Sequence, residues 1–273
     1  MTTAHTVQDS APPHPGNEAP LIRPHTLDSL LRAAVSLYTR NFKTIFLCYL
    51  LPSLPILMLQ AYAEAAHSSE TFKLLLFLPS MIVSFIATGA ITFALSDICL
   101  GNTPDLRASY ARLFRGTLWL KLLGTSLLAT LAMIIGVIAL IIPGLIVIVL
   151  LAFTSQVVVL ERMSGVSALK RSAALVKGSF WRTAGTFALL FVILYGVLIV
   201  SALLLGMVMG LLSSMGVSGT EEELAAILVA FIAGICIGTV YPFLFCVIIL
   251  MYYDRRARIE SYGVAHLEED LMR

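Results

Sequence analysis

Few residues of this chain have types and spacings suited to chemistry. Four cysteines, Cys48, Cys99, Cys236 and Cys246, lie in or at the ends of apolar stretches. None has CxxC or Cys/His spacing, so neither a zinc site nor a disulfide framework is expected; free thiols acting as small apolar residues are. Five histidines, His5, His14, His25, His67 and His266, lie outside the apolar runs, and no two have ligand spacing. No catalytic group and no cofactor or metal site is therefore expected, and the chain reads as a non-enzyme. What remains is the chemistry of guanidinium and ammonium groups. Arg107, Arg112 and Arg115 form one cluster beside apolar residues, and Lys170, Arg171, Lys177 and Arg182 form another. Such clusters suit anionic lipid headgroups. Asp97 and Glu161 end two apolar runs. They either meet water and pair with these basic residues, or line an inner vestibule. No carboxylate relay crosses the apolar runs, which disfavours a proton-coupled pump.

The elements that must carry these groups follow from composition. Hydrophobic residues make up 59% and charged residues 12% of 273 residues. Globular domains hold about 45–50% apolar residues even with glycine counted. The mean hydropathy is +0.93. A soluble fold of this size could not cover its surface with so few charges, so a polytopic membrane protein is expected. A net charge of +2 is too small to imply nucleic acid as a partner. Residues 1–25, with five prolines, read as a disordered tail rather than a signal peptide.

A spanning helix needs about 20 apolar residues. Passes are expected at about 44–63, 74–96, 122–142, 144–160, 184–212 and 224–253. Leu122 to Leu160 is uncharged over 39 residues. One helix of that length would reach about 58 Å, nearly twice the hydrocarbon core, so Pro143-Gly144 is expected to turn it into a hairpin. Thr183 to Thr220 is also uncharged, but it reads as one long pass followed by a loop, SSMGVSGT. With this count, 17 of the 18 lysines and arginines fall on one side; Lys73 is the exception. The positive-inside rule makes that side cytoplasmic, with both termini on it. Splitting the fifth pass would place the C-terminal arginines outside.

Each basic inner segment has helical periodicity, over about 26–42, 104–118 and 165–181. Leu27, Leu30, Leu31, Ala34, Leu37 and Tyr38 form the first apolar face. Thr103-Pro104-Asp105 reads as a cap, N1 proline and first-turn acid for the second. These are amphipathic helices lying in the membrane interface. The fold class is all-α: six transmembrane helices, as three repeats of interfacial helix plus hairpin, over residues 26–262, with a cytoplasmic tail at 263–273.

Prolines interrupt the passes at Pro52, Pro55, Pro79 and Pro242. They mark either a binding site of broken helices or kinks satisfied by neighbouring helices. Two GxxxG pairs, Gly206 with Gly210 and Gly234 with Gly238, are expected at similar depth on the fifth and sixth passes. They allow close approach within the chain or form a homodimer seam. The C-terminal YYDRRARIE joins two tyrosines to alternating charges. It is either a membrane anchor or a latch, in which Glu161 or Asp254 pairs with arginines such as Arg171, while Arg256 and Arg258 alternate with Asp254 and Glu260.

Two stretches carry a resemblance. Glu161 to Arg182 reads ERMSGVSALKRSAALVKGSFWR and Tyr252 to Glu260 reads YYDRRARIE. With Pro143-Gly144 they resemble the glycerophosphoryl diester phosphodiesterase membrane-domain family and related six-pass bacterial inner-membrane proteins, over about residues 25–262. In that family the phosphodiesterase chemistry belongs to a separate soluble barrel with a His-Arg and carboxylate metal site. This chain has no His-Arg pair, so the resemblance implies the membrane module without the enzyme.

The expected function is thus a non-enzymatic multi-pass protein of the bacterial inner membrane. It would bind anionic lipids or serve as a scaffold in envelope homeostasis, with a second copy or another membrane protein as a further partner. The alternative is a permease or channel for a small uncharged or amphipathic molecule. A polar cavity bounded by Gln60, Gln156 and Asp97 would favour the latter.

Overall fold

Thr26 opens the first helix, α1 (Leu27–Arg40): its hydroxyl accepts from the Ser29 N–H while the Ser29 hydroxyl accepts from the Thr26 N–H, a reciprocal cap. Leu30, Ala34 and Leu37 recur at helical spacing and are buried. The computed structural model describes residues 22, 24–66, 68–216 and 220–272. Its further elements are α2 (Phe42–Ala65), α3 (Glu70–Cys99), α4 (Leu106–Phe114), α5 (Leu118–Ala139), α6 (Ile141–Leu150), α7 (Thr154–Leu160), α8 (Val166–Lys177), α9 (Phe180–Ser214), α10 (Thr220–Glu260) and α11 (Val264–Met272). Among the described residues six spans are long and apolar enough to cross a membrane: Phe42–Ala63, Glu70–Cys99, Leu118–Ala139, Ile141–Leu160, Phe180–Ser214 and Ile227–Glu260. The 183–220 run indeed holds one long helix. No strand occurs among the described residues.

The third and fourth spans part three residues earlier than expected. Leu140, at φ −169° and ψ 146°, breaks the helix, and Pro143 sits in the first turn of α6, where its missing N–H costs nothing. Gly144 lets the two arms close: a Cβ there would lie 2.5 Å from a Val137 methyl. The helix expected over about 104–118 also starts later, at Leu106. The Asp105 carboxylate takes the cap, accepting from the Arg107 N–H at 2.9 Å, and Pro104 stands before it rather than at N1.

The tightest packing lies at the basic end. Ala87 to Asp97 of α3 are buried on every side, as are Cys246, Val247 and Ile249 to Arg255 of α10. The alanines, Gly89, Thr88, Thr92 and Ser96 keep α3 thin, and neighbours approach closely: a Cβ on Gly89 would lie 2.6 Å from Leu122. Away from this end the spans show leucines, isoleucines and phenylalanines outward. Only Thr183, Thr186 and Leu190 of α9 are buried.

Tyrosines of two short helices reach backbone carbonyls beside the proline kinks. Pro52 has no N–H for the Cys48 carbonyl four residues earlier, and the Tyr110 hydroxyl of α4 donates to that carbonyl at 2.6 Å. Near Pro242 the Tyr38 hydroxyl of α1 donates to the Thr239 carbonyl at 2.6 Å. The break at Pro52 is thus satisfied by a neighbouring helix, whereas Tyr38 bonds the carbonyl one residue past that of Gly238, the one that Pro242 leaves without its N–H.

The glycine pairs do not meet. A Cβ on Gly206 or Gly210 would touch no described atom, whereas one on Gly234 would lie 2.3 Å from Leu57 of α2 and one on Gly238 3.9 Å from Tyr49. Spacing along the chain does not fix the azimuth: α10 turns its glycines to α2, not to α9. Of residues 1–25, Ile22 and His25 are described and buried, and Pro24 is described and exposed; the rest of the expected tail lies outside the described residues. The expected C-terminal tail contains α11, which buries Leu267 and Asp270.

Candidate functional site

The charges converge at the basic end in three groups. The first matches one of the two readings of the C-terminal segment, the latch, with Glu161 and not Asp254 as the partner of Arg171. Arg171 of α8 donates from Nε to Glu161 Oε2 at 2.6 Å and from Nη2 to Glu260. Tyr252 donates to Glu161 Oε1 at 2.9 Å. Arg256 bonds Glu260 at 2.9 Å and Asp270 at 2.8 Å, and its guanidinium lies 3.7 Å from the Tyr262 ring centre. Tyr262 also donates to Asp270 at 2.8 Å. Ends of α7, α8, α10 and α11 are joined by this network. Burial pulls the Arg171 guanidinium down, but hydrogen bonds to Glu161 and Glu260 outweigh it and leave its pKa raised. Burial, then the bond to Asp270, holds the Tyr262 phenol well above its ordinary value.

The second group surrounds Asp254, which is 2% exposed. It accepts from the His25 N–H at 2.6 Å and from Arg258 Nε at 3.0 Å, and Arg182 lies 3.5 Å away. Arg182 and Arg258 also donate to the His25 carbonyl. Next to it, Arg255 donates to the Leu175 carbonyl at 3.1 Å, fixing α8 on α10.

The third group is built around Phe93 of α3. Asp97, one α-helical turn on, takes a two-pronged contact from Arg112 of α4. The guanidinium of Arg112 lies 5.2 Å from the Phe93 ring centre, and that of Arg162 lies 5.6 Å from the same ring. Arg162 follows α7 with φ +57°, a left-handed backbone that side chains disfavour. Its pKa is lowered, first by burial and then by Arg112. The Nε atoms of both arginines are buried without a hydrogen-bond partner. Arg115, Lys121 and Thr117 join them in lining a cleft of about 320 Å³, whose apolar wall is Leu118, Leu271 and Met272.

Arg112, Arg171 and Arg182 are therefore committed to internal carboxylates, and this corrects their expected place among lipid-facing cations. Arg107, Arg115, Lys170 and Lys177 are exposed. Asp97 pairs with Arg112 and Glu161 with Arg171, as the first of their two alternatives had it. Sequence reasoning missed Arg162, His25 and Asp270. Nothing local to Arg162 marks its place beside Phe93 and Arg112, but Asp270 had a signal, since Val264, Leu267 and Leu271 recur at helical spacing.

A second cleft, of about 220 Å³, opens among α2, α3 and α10, lined by Tyr49, Ser53, Gln60, Ser80 and Ser84 with Gly234 and Gly238. Ser53 and Ser80 donate back to their own helices, while the Gln60 amide makes no hydrogen bond among the described residues. Gln156 and Asp97 do not line it. Among the described residues no three His, Cys, Asp or Glu side chains gather as metal ligands. No family model, no curated protein and no solved structure matches this chain.

Proposed function

We propose that the chain is a non-enzymatic multi-pass protein of the bacterial inner membrane that holds anionic lipid at its basic, cytoplasm-facing end, in a scaffold or envelope-homeostasis role. The observation that carries this reading is on and beside α8. Lys170 and Lys177 are exposed next to Val166, 57% exposed, and Trp181, 85% exposed. Exposed aromatic and aliphatic groups beside free cations suit the headgroup level: the apolar groups bury, and the cations select anionic lipid. The resemblance to a membrane module without its enzyme, and the threefold order of short helix plus two spans, agree with such a part.

Each cation near an anionic surface is worth about 1 kcal/mol, or about fivefold in affinity, and salt screens it. Replacing Lys170 and Lys177 with Gln should leave the fold intact and lower the anionic lipid retained per protein in mild detergent. Arg171 is kept, because it holds Glu161 and Glu260. Equal lipid content in the double variant would overturn the reading.

The cleft at Gln60 favours a second reading, a permease for a small uncharged or amphipathic molecule, because an unbonded amide lies there beside proline-broken helices. Proteoliposomes in a glycerol gradient should then reswell faster than empty vesicles, and Gln60→Leu should remove the difference. Identical reswelling of protein-bearing and empty vesicles would count against it.

A further inference from the structure

We propose that the cleft between the α4–α5 turn, Arg162 and the end of α11 is a binding site for a phosphomonoester group. The proposal rests on the lipid reading only for the basic end facing headgroups.

Arg112, Arg115, Lys121 and Arg162 line one cleft. Among the described residues, Asp97 is the one carboxylate paired with any of them, and it is taken by Arg112. Three cations remain to be balanced. Arg112 and Arg162 are held on one Phe93 ring, so two like charges are kept together against their repulsion. Each also has a buried Nε with no partner. Buried donors without partners are rare in proteins and call for an explanation, such as strain or a bound water or ion. Arg162 adds a strained left-handed backbone, which is the type of cost that accumulates at functional positions.

The charge selects the ligand class. A phosphodiester carries one negative charge, whereas a phosphomonoester carries about −1.5 to −2 near neutral pH and offers three strong acceptor oxygens. Guanidinium forks fit those oxygens in pairs. The apolar wall of Leu118, Leu271 and Met272 sits at the entry to a span, and Met272 is 81% exposed. That wall can take the glycerol and first acyl carbons of a phosphatidic acid; a free phosphate would use the cations alone.

The test uses the full chain in mild detergent, with apparent Tm measured against dioleoyl phosphatidic acid, dioleoyl phosphatidylglycerol and inorganic phosphate in separate titrations. Phosphatidic acid should bind at least tenfold more tightly than phosphatidylglycerol. Saturation by inorganic phosphate at similar concentration would keep the site and identify a soluble source. Arg162→Gly removes one cation and relieves the left-handed strain. Its Tm without ligand should be unchanged or higher, while the response to phosphate groups falls about tenfold or more. Lys121→Gln, an exposed side chain, should weaken the response in the same direction. The Lys170→Gln/Lys177→Gln variant should keep the preference for phosphatidic acid even where it loses general anionic lipid, so the two readings fail separately. Equal binding of both lipids by the unaltered protein with no response to inorganic phosphate, or an unchanged preference in Arg162→Gly, would overturn the proposal.

Discussion

The backbone N–H of His25 donates to Asp254 Oδ1 at 2.6 Å, tying the approach to the first helix to the end of the last span across 229 residues of chain. Asp254 is buried and also faces Arg182 and Arg258. Removing one partner of a buried charged group costs about 3–5 kcal/mol. Asp254→Ala should lower the apparent Tm in detergent and abolish hydrogen-exchange protection of the His25 amide. Retained protection would show that the contact does not hold this segment.

The glycines give a graded series. Gly89→Leu drives a side chain into Leu113 and Leu122, and Gly234→Leu drives one into Leu57. Overpacking of this kind costs about 1–3 kcal/mol. Gly206→Leu and Gly210→Leu project into open space and should leave thermal stability within about 0.5 kcal/mol. Equal destabilisation at all four positions would contradict the packing of α10 on α2.

Tyr38 supplies a pH test. Burial, aided by Cys246, pushes its phenol from 10.0 up to about 12. The folded protein therefore holds this proton more tightly than the unfolded chain does. Its contribution is complete below pH 10 and is lost as pH rises to 12. Tyr38→Phe lacks that dependence, so the stability gap between the two proteins should narrow over this range. A constant gap would refute the assignment.

Orientation can be read by labelling in intact cells. Cys48, Cys99 and Cys246 are buried, and the exposed Cys236 is replaced with Ser to keep the native background low. Single cysteines at the exposed positions Ser69 and Ser213 should react with an impermeant reagent, and those at Ala111 and Ser261 should not. Reaction at Ser261 from outside would reverse or break the six-span topology.

Much of this architecture was legible because charge and hydropathy act along the chain. Uncharged runs marked the spans, including the undivided α9, and the helical periodicity of the basic segments marked the short helices between them. Contacts across the chain were less legible. Glu161 with Arg171 was anticipated because both lie in one short basic segment, whereas His25 with Asp254 was not, since nothing local to His25 marks it. The hairpin break fell at Leu140 because a proline in the first helical turn is tolerated, so Pro143 does not itself mark the end. Arg162 escaped notice because its meaning depends on sharing Phe93 with Arg112, a fact of three-dimensional placement.

The long fifth span has a mechanical consequence. Its uncharged stretch from Ala184 to Leu212 measures about 43 Å as a helix, against a hydrocarbon core of about 30 Å. It touches α10 along its side, yet its buried residues all lie in the first three turns. The root of α9 is buried in the protein, and beyond it α9 meets α10 while turning most side chains outward, so the lipid acts on the inclination of the remainder. A thinner bilayer is met by leaning rather than by repacking, at fractions of a kcal/mol per Å. Bilayer thickness thus becomes a variable that the angle of this helix reports, while the ion-paired end stays fixed.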